Sequence, residues 1–236
     1  MSEMSTEIHT QVIEISRAKP TDPKMECFQA FPGGEGPFPG IIVIHEIFGL
    51  NDNIRDIAER FARQGYAVLA IDLFSGVNRV TCLMQIFYGL LIRPIKNTHI
   101  EDLKAALDYF QKQAQVDEER TGVVGFCMGG SYALQLASVQ GDLKAASVFY
   151  GQNPRPLDAV ARVCPIVGSY PGKDFTAKAA RQLQEKLEEF DVPHDIKIYP
   201  GTRHSFFNDQ GQAYAPVAAH DAWQRMLSFF EEHLLS

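Results

Sequence analysis

Short runs of apolar residues recur along the chain at Gly40-Ile41-Ile42-Val43-Ile44, Ala67-Val68-Leu69-Ala70-Ile71, Thr121-Gly122-Val123-Val124-Gly125, Ala145-Ala146-Ser147-Val148-Phe149 and Cys164-Pro165-Ile166-Val167-Gly168. Runs this short, apolar on successive positions and rich in β-branched residues, predict parallel strands buried on both faces. Ile196-Lys197-Ile198-Tyr199 reads as a further strand, and 10–15 with 25–31 as an antiparallel N-terminal hairpin. Between them, helices are predicted at about 52–64, 99–115, 128–140, 176–191 and 213–234, several with apolar residues at helical spacing. Alternating strands and helices predict an α/β fold, a mostly parallel central sheet flanked by helices on both faces. The turn-rich Pro32-Gly33-Gly34-Glu35-Gly36-Pro37 reads as a surface connection, so a single domain over 1–236 is expected. The segment 75–98 is long for a strand-to-helix connection. It reads either as a lid or inserted helical segment shaping a binding site, or as a packed helix remote from substrate.

Composition supports one globular domain and removes several function classes. With 45% hydrophobic and 22% charged residues in 236, the chain has neither the charge excess of disorder nor a repeat period. A formal charge of −7, without a run of Lys and Arg, argues against nucleic acid or an anionic membrane surface as a partner. The polar, acidic opening Met1-Ser2-Glu3-Met4-Ser5-Thr6-Glu7 lacks the basic and apolar regions of a secretory signal, which favours the cytoplasm. The apolar stretch Val80 to Ile92 spans thirteen residues and contains Gln85, short of the ~20 that cross a bilayer as a helix. Cysteines at 27, 82, 127 and 164 form no C-x-x-C pair, so thiols are expected rather than a zinc site or redox centre. No cofactor and no metal is implied, and a monomer is the expected state.

The candidate chemistry centres on Gly125-Phe126-Cys127-Met128-Gly129-Gly130, which follows a predicted strand and opens a predicted helix. This is the context of a nucleophile elbow, with cysteine in place of the serine of G-x-S-x-G. The glycines relieve crowding at a sharp turn, and the helix N-terminus favours thiolate over thiol. The N–H of Met128 is then a candidate oxyanion donor. A lone cysteine is more often an inert buried residue; its setting here favours the nucleophile. An α/β-hydrolase triad also needs an acid and a histidine, in that order, after later strands. Asp174 follows the run ending at Gly168, and His204 follows the run ending at Tyr199. Asp174 alone reads equally as a cap for a helix starting near Thr176, and His204 alone as a structural residue; their joint order favours a triad. In that role His204 takes and returns the proton while Asp174 fixes its tautomer. Glu46, in His45-Glu46-Ile47-Phe48-Gly49-Leu50, follows the run 40–44, where such folds place the second oxyanion donor, here the N–H of Ile47. Glu46 reads either as a solvated loop residue or as a proton partner of the nucleophile. Without a second histidine this is not the H-E-x-x-H of a metalloprotease.

Together His45-Glu46-Ile47-Phe48-Gly49-Leu50, Gly125-Phe126-Cys127-Met128-Gly129-Gly130 and Arg203-His204-Ser205-Phe206 resemble the dienelactone hydrolase family, from about residue 25 to the C-terminus. The resemblance implies a single α/β-hydrolase domain that opens an enol-lactone, with Cys127, Asp174 and His204 as its triad. It also implies that Glu46 hydrogen-bonds the resting thiol and takes its proton when substrate binds. Two arginines that commonly hold the substrate carboxylate in that family correspond here to Asn208 and to a position near Gly76, with Arg79 close by. Losing a bidentate guanidinium weakens the hold on an anionic substrate. Arg79, Tyr150, Phe206 and Asn208 are the candidate substrate-binding residues. Three functions fit the pattern: hydrolysis of a lactone or small ester through a thioester, acyl transfer through the same thioester, or a non-catalytic small-molecule-binding scaffold.

Overall fold

A computed structural model describes residues 7–76, 84 and 97–235. The internal contacts divide the chain into two compact units, Met1–Thr121 and Gly122–Ser236, with the boundary inside a single strand.

In the first unit, β1 (Ile8–Ile15) and β2 (Met25–Pro32) form the expected antiparallel hairpin, with Ile8 opposite Pro32 and Ile15 opposite Met25. Strand β2 pairs antiparallel with β4 (Ala67–Ile71), and β4 pairs parallel with β3 (Phe38–Ile44), Gly40 lying opposite Ala67. Residues 41–44 and 67–71 are wholly enclosed, as their unbroken apolar character requires. Helix α1 (Asp52–Arg63) makes the crossover between β3 and β4; the Asn51 side chain starts it by accepting the Ile54 N–H at 3.1 Å. Helix α2 (Thr98–Gln111) starts the same way, on Asn97.

Helix α2 ends at Gln111, four residues short of the predicted end, and β5 (Val116–Phe126) begins five residues before the predicted strand. Lys112-Gln113-Ala114-Gln115 favours helix by propensity. The competing contact is tertiary. Val116 and Phe110 fill the space over Gly40, where an added Cβ would lie 3.0 and 2.8 Å from them, and the Phe38 N–H bonds the Gln115 carbonyl. Seating Val116 there needs extended chain from 116 onward.

In the second unit β5, β6 (Ala145–Phe149), β7 (Ile166–Pro171) and β8 (His194–Tyr199) lie side by side and parallel. Helices α3 (Met128–Val139), α4 (Thr176–Glu189) and α5 (Pro216–Leu234) and a 3-10 turn (Leu157–Arg162) connect or follow them. Helix α5 is pinned to the sheet by Arg225, which reaches Ser169 on β7 and Tyr199 on β8. This alternation is the α/β architecture the pattern implied, a mostly parallel sheet flanked by helices. No helix among the described residues is long and apolar enough to cross a membrane. Most of the segment 75–98, with Arg79 and Cys82, lies outside the described residues.

A buried charge cluster organises the first unit. Arg17 pairs with Asp102 of α2 at 2.7 Å and donates to the carbonyls of Pro23, Leu73 and Ser75. One turn earlier on α2, burial pushes His99 down to about 4, opposed by the Asp102 carboxylate and reinforced by Arg17 and His45. Between about pH 6.5 and 4 the unfolded chain therefore binds a proton at His99 that the folded chain does not. Stability rises with pH through that window; the contribution is intact above 6.5 and lost as pH falls toward 4. We expect His99→Phe to remove about 2–3 kcal/mol of the stability difference between pH 7 and pH 4.5, measured by urea unfolding. An identical pH dependence in variant and parent would show that His99 is not protonated on unfolding.

Candidate active site

Strands β5, β7 and β8 each deliver one predicted site residue beyond their C-terminal ends. Cys127 directly follows β5 and directly precedes α3. Its backbone sits at φ 56° and ψ −116°, a region costly for a residue with a Cβ. The surrounding glycines make this turn possible. A Cβ on Gly125 would lie 2.0 Å from the Gly129 carbonyl oxygen, and one on Gly130 would lie 2.5 Å from that of Phe149. The turn is also tied to the next strand: the Cys127 N–H donates to the Phe149 carbonyl at 3.0 Å. Ser131, in the first turn of α3, accepts the Gln152 N–H at 2.7 Å and donates to the Cys127 carbonyl.

Cys127 is half-buried at a helix N-terminus, where the helix dipole stabilises an anion. Burial instead pushes the Cys27 and Cys164 thiols up to about 12, so neither carries thiolate at neutral pH. Met128 opens α3, the helical position whose N–H has no partner within the helix.

His204 Nδ1 lies 3.1 Å from Asp174 Oδ2. The other oxygen of the same carboxylate accepts the N–H and hydroxyl of Thr176, at 2.7 and 2.6 Å. The carboxylate thus meets the first residue of α4 with one oxygen and the imidazole with the other, while the N-cap itself is Phe175. Held at Oδ1 by α4, Asp174 is fixed in orientation and offers Oδ2 to the imidazole. The loop bearing His204 turns sharply at Ser205, with φ 61°, and is closed by Asn208, whose Oδ1 accepts the Gln210 N–H and whose N–H donates to the Ser205 carbonyl.

Rings cover the histidine. Tyr150, itself at φ 41° just after β6, places its ring 4.9 Å from that of His204, and Phe175 stacks on it at 5.7 Å with planes 12° apart. Four non-glycine residues have positive φ among the described residues, and three of them, Cys127, Tyr150 and Ser205, lie at these strand ends. Such strain persists only where surrounding structure enforces it, and it clusters at functional sites.

The remaining predicted residues divide by location. Asn208 is buried and occupied in its turn. Phe206 is fully enclosed, its ring against Tyr150 and Tyr199. Glu46 is buried in the first unit. There His45, wholly buried, bonds the Glu46 carbonyl through Nδ1 and accepts the Leu73 N–H at Nε2. As an acceptor there, Nε2 cannot also donate to Asp72 Oδ1, 3.3 Å away, while the ring is neutral. This strut holds the backbone of the loop carrying Glu46 and Ile47 against the loop after β4.

Sequence reasoning did not single out Ser131 or Phe175 as parts of the arrangement around Cys127 and His204. A signal existed for one of them: an apolar aromatic between a candidate acid and a helix start, where small polar residues are favoured.

Comparison with known proteins gives this geometry a context. The sequence model described as the dienelactone hydrolase family matches residues 25–234. A candidate carboxymethylenebutenolidase of Saccharolobus solfataricus is 34% identical, over 87% of this chain and 93% of that one. Among solved structures, a candidate dienelactone hydrolase of Klebsiella pneumoniae superimposes with a TM-score of 0.81 at 27% identity, over 96% of this chain and 99% of that one. A dienelactone hydrolase-like promiscuous phosphotriesterase from metagenomic libraries shares the fold, with a TM-score of 0.85 at 23% identity over 96% and 98%.

Proposed function

This chain belongs to the dienelactone hydrolase family, and from that premise we propose that it hydrolyses a lactone or small carboxylic ester through Cys127, His204 and Asp174 by way of a thioester. The observation that carries the reading is Cys127 at the head of α3, held at φ 56° on a turn walled by glycines. His204, oriented by Asp174 3.1 Å away, takes the thiol proton as sulfur adds to the carbonyl carbon. Negative charge gathers on the carbonyl oxygen, with the N–H of Met128 as the proposed donor in this unit; a second donor at Ile47 rests on sequence correspondence alone. The C–O bond then breaks, and His204 returns its proton to the departing oxygen, which stays tethered when the substrate is a lactone. Water reverses the sequence: its proton goes to His204, its hydroxyl to the carbonyl, and the C–S bond breaks to give acid and thiol.

For Glu46 the proposal rests on sequence correspondence alone: a buried carboxylate that hydrogen-bonds the resting thiol, so that the one proton leaves sulfur for His204 only when substrate arrives. A neutral resting thiol resists oxidation, because reactivity follows the thiolate fraction.

Lactones and aryl esters with and without a carboxylate, assayed on wild type and Cys127→Ser, test the substrate class. Asn208 offers no guanidinium, so uncarboxylated esters are expected to turn over as well as carboxylated ones. Strict preference for carboxylated lactones would overturn that expectation and point to dienelactone itself. Added alcohols and thiols that appear in product would show acyl transfer in place of hydrolysis.

A further inference from the structure

Phe175 stands apart from every other aromatic around His204. Its neighbours Tyr150 and Phe206 are enclosed, at 1% and 0% exposure, whereas Phe175 is 71% exposed. Phe175 occupies the N-cap position of α4 but its side chain makes no capping bond there, and the Thr176 N–H and hydroxyl go to Asp174 instead. This large apolar ring, left in water, lies nearly parallel to the imidazole of His204. Tyr150 also contacts that imidazole. The ring edge at Nδ1 is taken by Asp174, which leaves Nε2 as the nitrogen that exchanges protons with the reacting groups.

A leaving oxygen protonated by Nε2 must come within hydrogen-bond distance of it. Whatever that oxygen carries then lies beside the imidazole, next to the exposed Phe175 ring. We propose that Phe175 is the leaving-group platform of this enzyme, an aromatic surface that selects esters whose departing oxygen is attached to a flat, unsaturated group such as an aryl or enol. Offset and edge-to-face arrangements of two rings, or of a ring and a conjugated enol, contribute beyond simple burial, and a branched alkyl group of equal size cannot adopt them. The platform makes its contact with the alcohol portion of the ester and leaves the acyl portion free to vary. The inference rests on His204 being the proton donor to the leaving group.

The test uses the intact protein and two acetate esters, phenyl acetate and a fluorinated secondary-alkyl acetate of matched leaving-group acidity. Phe175→Leu keeps apolar bulk and removes the flat ring; Phe175→Trp keeps a ring. In Phe175→Leu, kcat/KM for the phenyl ester is expected to fall roughly three- to tenfold, the size of a lost ring contact, with the alkyl ester within twofold of wild type. Phe175→Trp is expected to restore the preference. Inhibition by free phenol should weaken in Phe175→Leu by the same factor. Equal loss on both esters would mean that Phe175 acts only through the histidine, and unchanged kinetics would mean that it does not meet the substrate; either result overturns the proposal. Cys127→Ala, assayed alongside, separates the two ideas: if it stays active, the thioester reading fails whatever the Phe175 variants do.

Discussion

Cys127→Ala is expected to lower kcat/KM for a small aryl ester by at least about ten-thousandfold, with little change in folding stability. Removal of a covalent nucleophile abolishes the route rather than slowing a step, and the residual rate reflects only binding and oxyanion donors. Stability should hold because alanine meets the same positive φ as cysteine, so the strain at this position is unchanged. The half-buried thiol loses little burial on truncation. Steady-state kinetics with an unfolding midpoint checks both halves. Substantial activity in the alanine variant would remove Cys127 from the mechanism. Cys127→Ser keeps a nucleophilic oxygen but loses the acidity that lets a helix N-terminus sustain an anion, so it too should be severely slowed.

The second large effect is at Asp174, where two substitutions separate two functions of one carboxylate. Asp174→Asn can keep an oxygen on the Thr176 N–H and hydroxyl while turning an NH₂ group toward His204 Nδ1. That presents a donor to a donor and drives the imidazole to the wrong tautomer, so kcat is expected to fall roughly a thousand- to ten-thousandfold with stability nearly unchanged. Asp174→Ala removes the bonds from Thr176 as well and should additionally cost about 1 kcal/mol of folding stability. Equal stability losses in the two variants, or retained turnover in the asparagine variant, would contradict this division of roles.

The elements were legible in the sequence to different degrees, and the differences have physical causes. Strands 67–71 and 145–149 appear at their predicted limits because nothing but full burial suits an unbroken apolar run. Helix α1 follows the same logic from its capping asparagine and amphipathic spacing. The stretch 112–115 reads as helix because its propensity is local, whereas the seat of Val116 over Gly40 is a contact between residues far apart in the chain. The candidate triad residues were legible as residue types in order. The second use of Asp174, the ring stack on His204 and the enclosure of Phe206 were not, since each depends on which way a side chain points after the strands have paired.

The sequence by itself determined a cysteine framed by glycines at a strand-to-helix turn, with an acid and a histidine after later strands, because turn sterics and strand burial restrict residue types at those positions. Only the tertiary structure decided that Cys127 is held at positive φ by the Phe149 carbonyl and the glycine walls. It likewise decided that Asp174 divides its oxygens between helix and histidine, and that Phe175 leaves a bare ring beside that histidine. Orientation and exposure are set by neighbours distant in the chain, and no local pattern encodes them.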